Sequence, residues 1–145
     1  MSLILASSSP FRKAILERLN VSFITVSPNI DETRKTPETP YDLVYRLAEE
    51  KAKEVAKTHS GLIIASDQAA TLESGNEEGD EILNKPLTHQ NAFAQLKKSS
   101  GRTVTFLTSI ALLNTETGIL QNHVEFFRVF FKSLSDSHIL SYLEK

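Results

Sequence analysis

The sequence predicts an α/β fold, a mixed twisted β-sheet flanked by helices. Three observations carry that expectation. Residues 3–6 and 62–65 are short apolar runs that read as buried strands. Between them, residues 40–58 place apolar side chains at helical spacing. Further on, residues 102–114 and 119–131 are rich in β-formers and flank the turn Thr115-Glu116-Thr117-Gly118. Strands and helices in this order imply a sheet covered by helices.

Bulk properties bound the function. A chain of 145 residues is expected to form a single domain, 1–145, with a proper core. The formal net charge of -2 argues against nucleic acid or an anionic membrane as partner, so any anion site must be local. With no cysteine there is no disulfide framework, thiolate metal site or sulfur nucleophile. Met1-Ser2 lacks the basic region of a signal peptide, and no run approaches membrane-spanning length. The expectation is a cytoplasmic protein.

The first strand leads into Ser7-Ser8-Ser9-Pro10-Phe11-Arg12-Lys13. Ser9 is a good N-cap and Pro10 suits the first helical position, with Ile15, Leu16 and Leu19 following at helical spacing. Arg12 and Lys13 fall in the first turn, where the macrodipole disfavours cations unless an anion sits beside them. Free backbone N–H groups, three hydroxyls and two cations make an anion site, with phosphate the sharper guess. An ordinary solvated helix start would show the same residues.

Residues 21–26 read as a second strand, and a loop with Asp31-Glu32 follows. That acidic pair is either solvated or holds a metal next to the phosphate site. Thr39-Pro40 opens the long helix, whose inner face carries Leu43, Val44, Leu47, Ala48, Val55 and Ala56. Glu49 and Lys53 pair on its solvent side. Lys51 is the anomaly, because it falls in the middle of the apolar stripe. It either snorkels to water or points into a cleft to meet an anion. A partner is expected both ways, since an unpaired buried charge is costly.

After Gly61, the triplet Ser66-Asp67-Gln68 stands at the C-terminal end of the second apolar run, where open α/β sheets place ligand crevices. Asp67 is a candidate general base or metal ligand, and equally a turn-capping carboxylate. Residues 69–72 and 81–83 read as two arms around an acidic loop, residues 74–80. Lys85 follows, either a loop lysine or a phosphate contact. Thr88 is expected to cap a helix reaching residue 98, with Ala92, Phe93 and Leu96 inward and Gly101 closing it. In residues 102–114, Val104, Phe106, Thr108 and Ile110 alternate with Thr103, Thr105, Leu107 and Ser109. Phe126, Phe127, Phe130 and Phe131 suit a core or a subunit interface. Ser135 opens a last helix carrying Ile139, Leu140 and Leu143. The four histidines are dispersed, and there is no Walker A loop or Rossmann glycine fingerprint.

Five segments together resemble the Maf family of nucleotide pyrophosphatases. Leu3-Ile4-Leu5-Ala6-Ser7-Ser8-Ser9-Pro10-Phe11-Arg12-Lys13 is similar to the family's opening motif. Asp31-Glu32, Ala48-Glu49-Glu50-Lys51-Ala52, Ser66-Asp67-Gln68 and Lys85-Pro86-Leu87 follow in the family's order. Each is weak alone, and the ordered set is specific. The resemblance runs from residue 2 to residue 145 and implies a Maf/ITPase-like fold. Family members continue further, so it also implies a domain truncated at its C-terminus, lacking a segment that helps close the pocket.

The implied reaction is metal-assisted hydrolysis of a nucleoside triphosphate to a monophosphate and pyrophosphate. The resemblance makes Asp67 the proton acceptor and Glu32 a ligand of Mg²⁺ or Mn²⁺. It makes Ser8, Ser9, Arg12, Lys13, Lys51 and Lys85 the phosphate contacts. Phe11 and Gln68 match the subgroup acting on 7-methyl-GTP, whose cationic base favours an aromatic face. Members acting on UTP and dTTP usually carry an arginine after the Ser-Pro pair and Asp-Thr at the catalytic position. Lys13 replaces the family's usual second arginine and loses its bidentate fork. Ala65 and Asn84 stand where glycines are common. The family often forms dimers, and the phenylalanine-rich strand would suit that interface. Two other readings stay open: a UTP/dTTP pyrophosphatase of the same family, and a non-catalytic nucleotide-binding regulatory protein.

Overall fold

A computed structural model describes residues 1–35, 37–72, 81–83 and 89–144, with the backbone alone at 81–83 and 89. Its elements are β1 (Leu3–Leu5), α1 (Pro10–Glu17), β2 (Ile24–Thr25), α2 (Pro40–Ala56) and β3 (Leu62–Leu72). They continue with β4 (Glu81–Leu83), α3 (His89–Ser99), β5 (Thr103–Asn114), β6 (Leu120–Phe130) and α4 (Asp136–Leu143). The strand order is β2-β1-β3-β5-β6, with β4 paired to β3. β1 runs parallel to both β2 and β3, whereas β3 and β4 are antiparallel, so the sheet is mixed as expected. The chain divides into two compact units, Met1–Gln68 with Thr108–Glu125 and Ala69–Leu107 with Phe126–Lys145. β3, β5 and β6 contribute residues to both.

In the first unit, the caps form where the sequence places them. Ser9 Oγ accepts from the Arg12 amide and Pro10 takes the first helical position of α1. Thr39 Oγ1 accepts from the Asp42 amide at the start of α2. The two helix starts differ in charge: α2 has Asp42 in its first turn, whereas α1 has no acidic residue there to offset Arg12 and Lys13. Gly61 lets β3 lie against β1, because a Cβ there would come within 2.3 Å of the Ser2 carbonyl. The Leu62 amide bonds that same carbonyl at 2.8 Å.

The core of this unit joins α2 to the sheet. Ile4, Ala6, Ala48, Ala52, Val55, Ile63, Ala65, Ala111 and Leu113 form one buried cluster. Each full-size side chain in it, such as Ile63, contributes about 1.5–3 kcal/mol by leaving water. More than half of the cluster is alanine, on the helix and the strands alike, and helix-to-sheet spacing is set by the side chains at the contact. Small residues on both sides bring α2 close to β3. Lys51 lies between Ala48 and Ala52 on that approach.

Several expectations need correction. β2 covers two residues instead of six, because β1 offers only the partners Ile4 and Leu5 for Ile24 and Thr25. Of the apolar residues of the first helix region, Leu16 is buried, whereas Ile15 and Leu19 are exposed. In β5 the buried positions are Val104, Leu107, Ser109, Ala111 and Leu113, with Ile110 exposed. Apolarity alone does not give the phase there, since a serine occupies an inward position and an isoleucine an outward one. In the second unit Phe126, Phe127 and Phe130 are exposed rather than core. β3 is longer than expected, extending through Asp67 to its antiparallel pairing with β4 at Leu72 and Glu81. The loop 74–80 and the Thr88 cap lie outside the described residues.

Candidate active site

The site grows from the C-terminal half of α2 and the middle of β3. The stripe spacing on α2 drives Lys51 inward, and only 7% of the residue is exposed. Its ammonium has three N–H donors and finds three acceptors. Nζ lies 2.9 Å from Asp67 Oδ1, 2.9 Å from Glu32 Oε1 and 3.4 Å from the Ser66 carbonyl. The buried lysine is therefore paired twice over. Both carboxylates singled out from the sequence, one in a loop and one on a strand, meet on the lysine that broke the apolar pattern.

Asp67 is held above the ordinary carboxylate pKa. Burial is the main cause; Lys51 pulls the other way, the like charge of Glu32 adds to the rise, and Arg12 opposes it. A carboxylate raised in this way is a stronger base than a solvated one. Arg12, in the first turn of α1, is close enough to act on Asp67 electrostatically.

Other candidates are arranged differently. Ser7 Oγ accepts from the Ser9 amide and Ser9 Oγ caps α1, while the exposed Ser8 hydroxyl is left for a ligand. Lys13 makes no ion pair among the described residues and lines a groove of about 480 Å³ with Glu17, Phe23 and Ile24. It does not join Lys51 and Asp67. Phe11 is 80% exposed, its ring open to solvent. Gln68 donates to Thr108 Oγ1 at 3.0 Å. As the strand neighbour of Asp67 it lies on the other face of β3. Lys85 lies outside the described residues.

Two residues that the sequence reading passed over shape the site. Arg46 on α2 forks onto Glu38, with Nε 2.6 Å from Oε2 and Nη2 2.9 Å from Oε1. It also reaches Glu50 and the Thr33 carbonyl, so it holds the loop carrying Glu32 against the helix. The i,i+4 spacing of Arg46 and Glu50 was the available signal. The second is Ser109, fully buried beside Asp67. A lone hydroxyl within the buried set of β5 was its only trace.

The residues present fit a hard divalent cation. Glu32 Oε1, Asp67 Oδ1 and the Ser66 carbonyl all converge on the Lys51 ammonium, so the hard oxygens left for an ion are the second carboxylate oxygens of Glu32 and Asp67. Among the described residues no cluster of three or more His, Asp or Glu could hold a metal unaided. An ion of the Mg²⁺ type commonly takes one or two carboxylates and completes its shell with substrate phosphates and water.

A lysine shared by two carboxylates beside a cationic helix start is suited to phosphate chemistry, and the comparisons bear on which kind. A family model described as Maf-like protein matches residues 2–145. The chain belongs to the Maf family. Three curated relatives carry the name 7-methyl-GTP pyrophosphatase. The one from Vibrio vulnificus is 43% identical over 143 residues, covering 99% of this chain and 71% of the relative. Those from Pseudoalteromonas atlantica and Nitrosococcus oceani are 49% and 46% identical, with 99% of this chain covered and 71% and 70% of theirs. By name these Maf relatives are hydrolases acting on acid anhydride bonds.

Solved structures give the fold independently. The Staphylococcus aureus Ham1 protein superposes with a TM-score of 0.58 at 15% identity, over 90% of this chain and 71% of that one. A nucleoside-triphosphatase / dITP/XTP pyrophosphatase from Mycobacterium abscessus gives 0.50 at 20% identity, over 90% and 74%. The Maf chain thus shares its α/β architecture with Ham1-type proteins at low identity. No described helix is long and apolar enough to cross a membrane.

Proposed function

We propose that this chain hydrolyses 7-methyl-GTP to 7-methyl-GMP and pyrophosphate. The observation that carries the reading is the Glu32–Lys51–Asp67 arrangement next to the start of α1, in a chain whose relatives bear that activity as their name. Asp67 accepts a proton from the water that attacks the α-phosphorus. The bond from that phosphorus to the oxygen bridging the β-phosphate breaks, and pyrophosphate leaves. Developing charge on the phosphate oxygens is met by Lys51, Arg12 and the α1 amides, with Ser8 a further donor. Lys13 and Lys85 are assigned to the outer phosphates. A divalent ion, Mg²⁺ or Mn²⁺, held by Glu32 with Asp67, would supply further charge neutralisation on the phosphates.

Base selection falls to Phe11, whose open ring can take the face of a cationic methylated guanine. Gln68 bonds Thr108 on the face of β3 away from Asp67, which leaves Phe11 to carry base selection. The test is incubation with 7-methyl-GTP, GTP, UTP and dTTP in Mg²⁺ or Mn²⁺, with Asp67→Asn and Phe11→Ala alongside. Pyrophosphate from 7-methyl-GTP, lost in Asp67→Asn, supports the reading. Preference for UTP or dTTP keeps the mechanism and removes the role of Phe11. Binding of nucleotide without any pyrophosphate identifies a regulatory protein instead.

A further inference from the structure

We infer that Ser109 is a positioning residue that fixes Asp67 to the helix carrying Lys51. The inference rests on the role proposed for Asp67. Ser109 has no solvent exposure and follows Leu107 and precedes Ala111 and Leu113 on the buried positions of β5. A buried hydroxyl without partners is costly, and this one is fully used. The Asp67 amide donates to Ser109 Oγ at 3.0 Å. The hydroxyl in turn donates to the Val44 carbonyl at 2.7 Å, with the Asp67 carbonyl at 3.3 Å. One side chain therefore grips the Asp67 peptide and α2 together.

The attachment point on α2 is specific. Val44 precedes Lys51 by seven residues, which is nearly two helical turns, so both lie on the same face. Ser109 thus ties the Lys51 face of α2 to the strand residue whose carboxylate Lys51 meets at 2.9 Å. Next to it, Thr108 accepts from Gln68 on the opposite face of the sheet. Consecutive residues of β5 hold consecutive residues of β3, one on each side. The hydrogen bonds of Ser109 run to main-chain atoms, and its effect passes through the Asp67 backbone. Displacement of a catalytic group by 1 Å costs on the order of 100-fold in rate, so a slack peptide here would be felt in turnover before binding.

The test uses Ser109→Ala and Ser109→Thr in the full chain. Two readouts are taken: kcat and KM for pyrophosphate release from 7-methyl-GTP, and hydrogen exchange of the Asp67 amide. For Ser109→Ala, kcat is expected to fall about tenfold while KM stays within about twofold, because an interaction made for turnover is lost. Asp67 amide exchange is expected to accelerate about tenfold, as suits one hydrogen bond of ordinary strength. Ser109→Thr, which keeps the hydroxyl, should recover most of both. Unchanged Asp67 exchange in Ser109→Ala would overturn the inference, as would a threonine variant no better than alanine. If the unaltered chain releases no pyrophosphate, the proposed function fails, and the exchange measurement still decides the clamp.

Discussion

Lys51 and Asp67 form a buried ion pair, with Nζ and Oδ1 2.9 Å apart and both side chains largely out of water. Their sequence positions, one on α2 and the other on β3, make the pair a product of the fold. Glu32 joins it from a loop at the same distance, its side chain more than half exposed. Two carboxylates share the one buried ammonium, and Arg12 adds a second positive charge that acts on Asp67.

Replacing Lys51 by Met should destabilise the fold by about 3 kcal/mol at neutral pH, because it strands a buried carboxylate. The loss should shrink as pH falls, since Asp67 can then take up a proton. Urea denaturation at several pH values measures it. Equal losses at pH 7 and pH 4 would mean that Asp67 is not the group left unpaired.

How far could this be read from the sequence? Lys51 was legible because a charge in an apolar helical stripe breaks a pattern, and pattern breaks survive without coordinates. Ser9, Pro10, Thr39 and Pro40 were legible because capping is local. Ser109 and Arg46 were not singled out, for their roles depend on partners 42 and 8 residues away. The inward face of β5 was not legible for a related reason: Ser109 is buried with three main-chain hydrogen-bond partners while Ile110 is exposed. β2 failed because strand length is set by the partner strand, which is only three residues long.

The acid limb of activity should reflect Asp67. Burial raises its pKa above that of a solvated aspartate, against the pull of Lys51. The proton must be off for Asp67 to act as base, so kcat/KM should fall as pH drops through a value above that of a solvated aspartate. Asp67→Asn should reduce kcat by about 100-fold or more and remove this limb. A limb that persists in the residual activity of the variant would assign it to another group.

Glu38 should make stability depend on pH in a lower window. The Arg46 fork pulls its pKa from 4.5 down to about 2. The sign follows from the depressed value: the contribution is complete above about 4.5 and is lost as pH falls towards 2. Glu38→Gln should flatten the urea midpoint between pH 5.5 and 3 relative to the unaltered chain. Parallel curves would show that the fork does not hold in solution. Because Arg46 also holds the Thr33 carbonyl, the same variant should loosen the loop that carries Glu32, read as faster amide exchange there.

The alanine contact between α2 and the sheet should matter to catalysis as well as packing. Ala48, Ala52, Ala65 and Ala111 have no exposed surface, so no room exists for a larger side chain without moving the helix. Ala52→Leu should cost about 1–3 kcal/mol as an overpacked site. Ala52 is the immediate neighbour of Lys51, and any outward shift of α2 lengthens the Lys51–Asp67 contact directly. Turnover should therefore fall well beyond the fraction unfolded at the assay temperature. The control is Val55→Ala, which removes volume one turn further along the same cluster and should cost about 2–5 kcal/mol without pushing the helix outward. If both variants lose activity only in proportion to their unfolded fraction, close helix packing serves stability alone. A specific loss in Ala52→Leu would show that the spacing of α2 from β3 sets the geometry of the site.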